Sequence, residues 1–298
     1  MTIVTASLVA QLRGRTGVGM MACKSALVEC NGDIDEAIAL LRKRGLASAA
    51  KKSGREALEG LISLFSSETV GVMVEVNSET DFVAKNAQFI ELVQGITKTY
   101  YNFDGALEDF LNSKFIGSSF TVQEEILSGV SIIGENIKLG SAYKITGDYV
   151  AKYVHAAVAS DTGRIGVLLA FNVDGQFNKH DLDELGNSIA MHIAAAKPRF
   201  VSITAVDKLT LENELDVAKE KARLSGKPDS MLEKIAEGRV RKFYEEVVLL
   251  EQNYALDEKI KISSLIEGVG NKLKIKINLK GFIRLSIGDP DGNIISII

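Results

Sequence analysis

The sequence predicts an α+β protein. It has a three-helix module at its N-terminus, two repeated antiparallel-sheet/helix subdomains, and an antiparallel helical hairpin inserted in the second. Three observations predict this. The first part of the chain carries helix caps and helical spacing. From Gly60 onward, β-rich runs alternate with helical ones, and Gly71-Val72-Met73-Val74-Glu75-Val76-Asn77 returns in register as Gly166-Val167-Leu168-Leu169-Ala170-Phe171-Asn172. Two long amphipathic patterns then flank a strong turn signal, Ser225-Gly226-Lys227-Pro228-Asp229.

Thr5 suits an N-cap for a helix with Leu8, Val9 and Leu12 on one side, and Thr16-Gly17-Val18-Gly19 breaks it. A second helix over Met20–Glu29 has Met21 and Leu27 as expected core residues. Asn31-Gly32 ends it, because both residues tolerate positive φ. Asp33 opens a third, with Glu36 as capping-box partner and Ile34, Ala37, Ile38 and Leu41 at helical spacing. Three helices so arranged resemble, at the level of fold, a ubiquitin-associated-type module. Arg42, Lys43, Arg44, Lys51, Lys52 and Arg55 follow without an acid among them, and read as a linker with a solvated basic face. The alternative is a contact with an acidic partner surface.

Leu61-Ile62-Ser63-Leu64-Phe65 and residues 70–76 read as strands joined by Ser66-Ser67-Glu68-Thr69, with a helix carrying Phe89, Leu92, Val93 and Ile96 behind them. The second copy has strands at residues 153–158 and 165–171 and a helix carrying Leu182, Leu185, Ile189, Ile193 and Ala196. Each half closes on a strand, after Asn136-Ile137-Lys138 and after Asn271-Lys272-Leu273. Antiparallel sheets covered by helices on one face fit this pattern. Lys197-Pro198 ends the second copy's helix. The hairpin follows, with Leu211, Leu215, Ala218 and Ala222 on its first helix and Leu232, Ala236, Val240, Phe243, Val247 and Leu250 on its second. The expected division is 1–55, 56–148 and 149–298, with the hairpin at about 204–250.

Composition excludes several classes. A chain of 298 residues with 46% apolar and 25% charged residues is globular and large enough for two or three domains. Net charge is −4, against the basic balance of proteins that live on phosphate contacts. Cys23 and Cys30 lie about 10 Å apart along one helix, too far for a disulfide, which fits a reducing compartment. Residues 1–5 lack a basic leader, and no run approaches the roughly 20 apolar residues of a membrane span, so a soluble cytoplasmic protein is expected. His155, His180 and His192 accompany no nucleophile in a strained elbow, and there is no phosphate-binding Gly-rich loop. Glu75, Glu79 and Asp81 read as a polar turn rather than an acid pair. No catalytic residue, cofactor or metal is expected.

The informative stretch is Val76-Asn77-Ser78-Glu79-Thr80-Asp81-Phe82-Val83-Ala84-Lys85-Asn86. It leaves a buried strand and enters a helix near Asp81, with Thr80 or Asp81 as N-cap and Phe82 in the first turn. On pattern alone Phe82 has two readings: the first core residue of the helix, or an outward aromatic anchor beside a carboxylate. The second copy has Val173-Asp174-Gly175 at the matching corner, with no aromatic.

Thr80-Asp81-Phe82-Val83-Ala84-Lys85 resembles the signature of the elongation factor Ts family, guanine-nucleotide exchange factors for elongation factor Tu. Residues 12–24, Ile133-Gly134-Glu135-Asn136-Ile137 and residues 189–198 resemble further family motifs, in order and across nearly the whole chain. The resemblance implies a non-enzymatic protein that binds elongation factor Tu, GDP-bound and nucleotide-free, displaces Mg²⁺ and promotes exchange of GDP for GTP. It implies that Thr80, Asp81, Phe82 and Val83 enter the partner beside its Mg²⁺ and phosphate site. It also implies contacts from Lys24, Lys52, Ile133, Gly134 and His155, with a structural role the alternative for His155. His192 is expected to pack in its helix. The turn at residues 159–163 is expected to be longer than the family pattern, and residues 100–120 carry little of it. Two rivals stay open: a ubiquitin-associated-like scaffold without exchange activity, and an RNA-associated factor using residues 42–55.

Overall fold

The computed structural model describes residues 4–225, 228–289 and 293–297. Met1, Thr2 and Ile3, and the Gly226-Lys227 part of the expected turn, lie outside the described residues. The chain divides into two compact units. The first joins Met1–Ser63, Val74–Ala142 and Val158–Thr162; the second joins Leu64–Met73, Tyr143–Ala157 and Gly163–Ile298.

The first unit opens with helices α1 (Ala6–Thr16), α2 (Met20–Glu29) and α3 (Ile34–Lys52). The Thr5 hydroxyl accepts from Leu8 N at 3.2 Å, and the Asp33 carboxylate accepts from Glu36 N at 2.8 Å, so both expected caps form. Val9, Leu12, Cys23, Ala26, Leu27, Ala37 and Leu41 make the core. Met21 does not join it and is 74% exposed. The buried face of α2 runs through Cys23, Ala26 and Leu27, and Met21 lies on the opposite side of so short a helix. Both cysteines are free thiols.

Strands β1 (Glu59–Ser66) and β2 (Val70–Ser78) form a hairpin, followed by helices α4 (Ala87–Tyr101), α5 (Leu107–Phe110) and α6 (Val122–Ile133) and strand β3 (Lys138–Thr146), which pairs with β2. Leu61, Val74, Val76, Phe89, Val93, Ile96, Phe110, Val122, Ile126, Val130 and Ile137 form the core beneath them. Helix α6 had not been read from the sequence. Its capping box is complete: Thr121 and Glu124 satisfy each other's backbone N–H groups.

The basic run is a correction. Residues 42–52 are the second half of α3, not a linker. The helix continues because it packs along α6, with Ala49 buried in the α4/α6 core. Gly45 sits where a Cβ would fall 2.8 Å from Ser131 Oγ, so its missing side chain admits the close approach. Arg44 pairs with Glu29, Arg42 with Glu124 at 3.9 Å, and Arg55 with Glu79 at 3.5 Å.

Strands β4 (Tyr149–Ala159) and β5 (Thr162–Asp174) form a hairpin. Only Ser160 and Asp161 lie between the strands, with Asp161 in the left-handed region at φ 54°. Helix α7 (Lys179–Ala196) follows, then α8 (Lys208–Leu224), α9 (Asp229–Val247), β6 (Asn253–Tyr254), β7 (Asp257–Lys261), α10 (Ile262–Leu273), β8 (Lys276–Ser286) and β9 (Ile294–Ile297). Strand β8 pairs antiparallel with β5, Leu168 opposite Ile283, and with β9 on its other side. Val167, Leu169, Phe171, Leu182, Ile189, Ile193, Ile262, Ile277 and Phe282 fill the core. The order hairpin, helices, strand of β1, β2, α4, α5, α6 and β3 recurs as β4, β5, α7, α10 and β8, with α8, α9, β6 and β7 between α7 and α10. Ala218, Ala222, Leu232, Ala236 and Phe243 form the buried seam of that insertion; Leu250 lies past the end of α9, in a short 3-10 turn. Among the described residues, no helix is long and apolar enough to cross a membrane.

His192 packs inside α7 as expected, 3% exposed. Its Nε2 donates to Gln252 Oε1 (2.9 Å) and its Nδ1 accepts from Ala255 N (3.2 Å), an arrangement that requires the neutral ring. Burial pushes its pKa below the ordinary histidine value, while the Gln252 hydrogen bond pulls weakly the other way. The unfolded chain therefore binds this proton more readily than the folded one. Stability from this group is complete above about pH 6.5 and falls as pH drops through that value, with a limiting slope of about 1.4 kcal/mol per pH unit. Urea midpoints at pH 7.5 and 5.5 should differ more for the wild type than for His192→Gln; equal pH dependence would refute the assignment.

Candidate functional site

The strand-to-helix corner at residues 78–86 is built differently from the expected single cap. Neither Thr80 nor Asp81 starts the helix. Val83–Lys85 forms a separate 3-10 turn, and Asn86 caps α4, its side chain accepting from Gln88 N at 2.8 Å and Phe89 N at 3.3 Å. The physical reason is burial. Val83 (7% exposed) and Ala84 (4% exposed) both insert into the core with Phe89, which a helix running straight on from Asp81 would not deliver together.

Between the anchors the chain turns outward. Thr80 is half-buried, Asp81 is exposed, and Phe82 is 78% exposed. Fully burying a phenylalanine stabilises a fold by about 1.5–3 kcal/mol, so an aromatic left in water on an ordered corner forgoes that gain. The outward reading of Phe82 is the one the structure has. Asp81 stands 3.9 Å from Lys85 across this turn, an exposed pair of little energetic weight.

The loop after α6 meets the corner. Gly134 ends α6 in the left-handed region at φ 91°, a conformation a side chain would strain, and this reverses the chain. Glu135 then points back: its Oε2 accepts from Thr80 N at 3.0 Å and its Oε1 from the Thr80 hydroxyl at 2.7 Å. The Thr80 carbonyl accepts from Ser78 Oγ at 3.1 Å. Asn136, 3% exposed, donates its backbone N–H to Glu79 Oε1 at 2.6 Å and its side-chain N–H to Arg55 O at 2.7 Å. The corner, the α6–β3 loop and the end of α3 are thus tied together.

Thr80, Asp81, Phe82 and Val83 stand here with Ile133 and Gly134, and Lys52 is on the adjoining last turn of α3, half-buried. Lys24 is exposed on α2. His155 is exposed on β4 in the second unit, its Nδ1 3.2 Å from the Tyr153 hydroxyl. Sequence reasoning gave no role to Glu135 or Asn136, and read Arg55 only as part of a basic run. The first two lie in a motif it had quoted, but their partners are 55 and 57 residues away. Among the described residues, no cluster of three His, Cys, Asp or Glu side chains could hold a metal ion.

Known proteins resemble this chain over most of its length. The sequence model of the family described as Elongation factor TS matches residues 79–289, starting at the corner itself. Elongation factor Ts of Rhodospirillum centenum is 44% identical over 291 residues, covering 97% of this chain and 94% of that protein. Elongation factor Ts of Paramagnetospirillum magneticum is 43% identical over 291 residues, covering 97% and 93%. The chain belongs to the elongation factor Ts family. It is a translation factor that promotes guanine-nucleotide exchange on elongation factor Tu through protein–protein contact, not an enzyme.

Proposed function

We propose that the corner at residues 80–83 is the part of this protein that meets elongation factor Tu beside its bound Mg²⁺ and GDP, with Asp81 and Phe82 entering the partner and Thr80 and Val83 holding them in place. The observation that carries this reading is Phe82, 78% exposed on a corner fixed at both ends. An aromatic in a set position loses little entropy on insertion and can carry about 2 kcal/mol or more of an interface. Asp81 follows it in and disturbs the segment lining the metal. Mg²⁺ demands near-ideal octahedral geometry, so a small displacement weakens its hold. Val83, being buried, acts as the inner anchor of the turn. Lys24, Lys52, Ile133, Gly134 and His155 supply further contacts.

The same reading takes the partner in both its GDP-bound and nucleotide-free states, places the protein in the cytoplasm, and requires neither direct nucleic-acid nor membrane contact. We read residues 1–55 as a ubiquitin-associated-like module, and residues 56–148 and 149–298 as the two repeated subdomains, with the coiled-coil hairpin at about 204–250. Exchange is a coupling between two ligands: whatever factor this protein takes from GDP affinity, GDP takes from the affinity for this protein. A coupling of about 1–3 kcal/mol amounts to roughly 5–150-fold. Catalytic amounts of the intact protein should accelerate release of fluorescent GDP from elongation factor Tu in stopped flow, and excess Mg²⁺ should oppose it. Unchanged release would remove the proposal.

A further inference from the structure

We infer that Glu135 is a positioning residue for nucleotide exchange, holding the Phe82 corner in its inserting conformation without touching the partner's nucleotide. The inference rests on the reading of Phe82 as the inserted anchor.

The corner is a short bridge between two fixed points. Val83 and Ala84 fix the inner end by burial. The outer end is Thr80, and its fixing is polar. One carboxylate takes both the backbone N–H and the hydroxyl of Thr80, at 3.0 and 2.7 Å. Those two bonds set the residue's backbone direction and its side-chain rotamer together, and bonds to a carboxylate are roughly twice as strong as neutral ones. Ser78 Oγ holds the carbonyl of the same residue at 3.1 Å. Every polar atom of Thr80 is therefore engaged, and only Asp81 and Phe82 remain to project.

Glu135 is itself held in place. Gly134 turns the chain at the end of α6, and the next residue, Asn136, is locked by Glu79 Oε1 and by the Arg55 carbonyl. The carboxylate thus comes from a loop that cannot follow Thr80 if Thr80 moves. Without it, the buried Val83 still tethers the chain, but Thr80 is free to rotate and Phe82 samples several directions. The remaining contacts still hold the partner, but within that complex the corner is in its inserting conformation only part of the time, and the maximal rate falls by that fraction.

The test is GDP release from elongation factor Tu as a function of exchange-factor concentration. Glu135→Ala should lower the maximal rate about tenfold while moving the half-saturating concentration less than about threefold, since the remaining contacts still bind. Glu135→Gln, which keeps one acceptor oxygen, should recover part of the rate. Amide exchange at Thr80 should lose its protection in Glu135→Ala. Thr80→Val tests the same bond from its other side, should melt near the wild type, and should add little to Glu135→Gln. In a Phe82→Ala background, Glu135→Ala should cost almost nothing more, because the two act through one side chain. Wild-type rates for Glu135→Ala, or a full further tenfold loss in the Phe82→Ala background, would overturn the inference. The wedge reading fails separately, by normal exchange in Phe82→Ala alone.

Discussion

Phe82→Ala is expected to slow release of GDP from elongation factor Tu by about 30-fold or more, with the melting temperature unchanged within about 2 °C. The size follows from an interface anchor carrying about 2 kcal/mol or more, converted at 1.4 kcal/mol per tenfold. The thermal neutrality follows from exposure. A side chain 78% in solvent has almost no buried area to lose, and surface substitutions usually stay within about 0.5 kcal/mol. The backbone of the corner should survive too. Its anchors are Thr80, through Glu135 and Ser78, and Val83, through the core; none of them uses the phenyl ring. Stopped-flow exchange and differential scanning calorimetry on the same preparation check both halves. A large loss of stability would place the ring in the fold, and normal exchange would deny it the partner.

That corner also shows what the sequence could and could not convey. The strand and the following helix were legible, since each depends on residues within one or two turns, whereas pattern alone left Phe82 between an inward and an outward reading, and its 78% exposure comes from the structure. The helix start was misplaced because Thr80, Asp81 and Asn86 are all competent caps, and the choice among them is made by Val83 and Ala84 reaching the core. Met21 was read inward because the residues of α2 are apolar on more than one side, so spacing alone does not pick the buried face. The basic half of α3 looked like linker because charge and a glycine hid its packing face, Leu41, Gly45 and Ala49 at steps of four. Helix α6 was missed although its capping box at Thr121 and Glu124 is a local signal. Strands β6 and β7 gave none: they are short, mostly exposed and without alternation. The Glu135–Thr80 bonds belong to a further class. They join residues 55 apart, and nothing in either stretch alone announces the other.

Phe89→Ala should do the reverse of Phe82→Ala, although the two rings are seven residues apart on one segment. Phe89 is fully buried among Val93, Ile96, Val130 and Ile137, in the cluster that also takes in Val83 and Ala84. Removing a ring from such a site costs the transfer free energy and leaves a cavity, about 3–5 kcal/mol together. For a protein of this size that lowers the first melting transition by roughly 10 °C. Exchange should be hurt only as far as the unit unfolds. At 10 °C, where the folded form still dominates, the rate should remain within about threefold of wild type, since Thr80 keeps its bonds and Phe82 its exposure. As temperature rises it should collapse along the melting curve. A melting temperature equal to the wild type would mean that the α4 cluster does not hold the unit together. A 30-fold loss of exchange in the folded protein at 10 °C would mean that Val83 depends on Phe89 to seat the corner, and that the inner anchor is weaker than its burial implies.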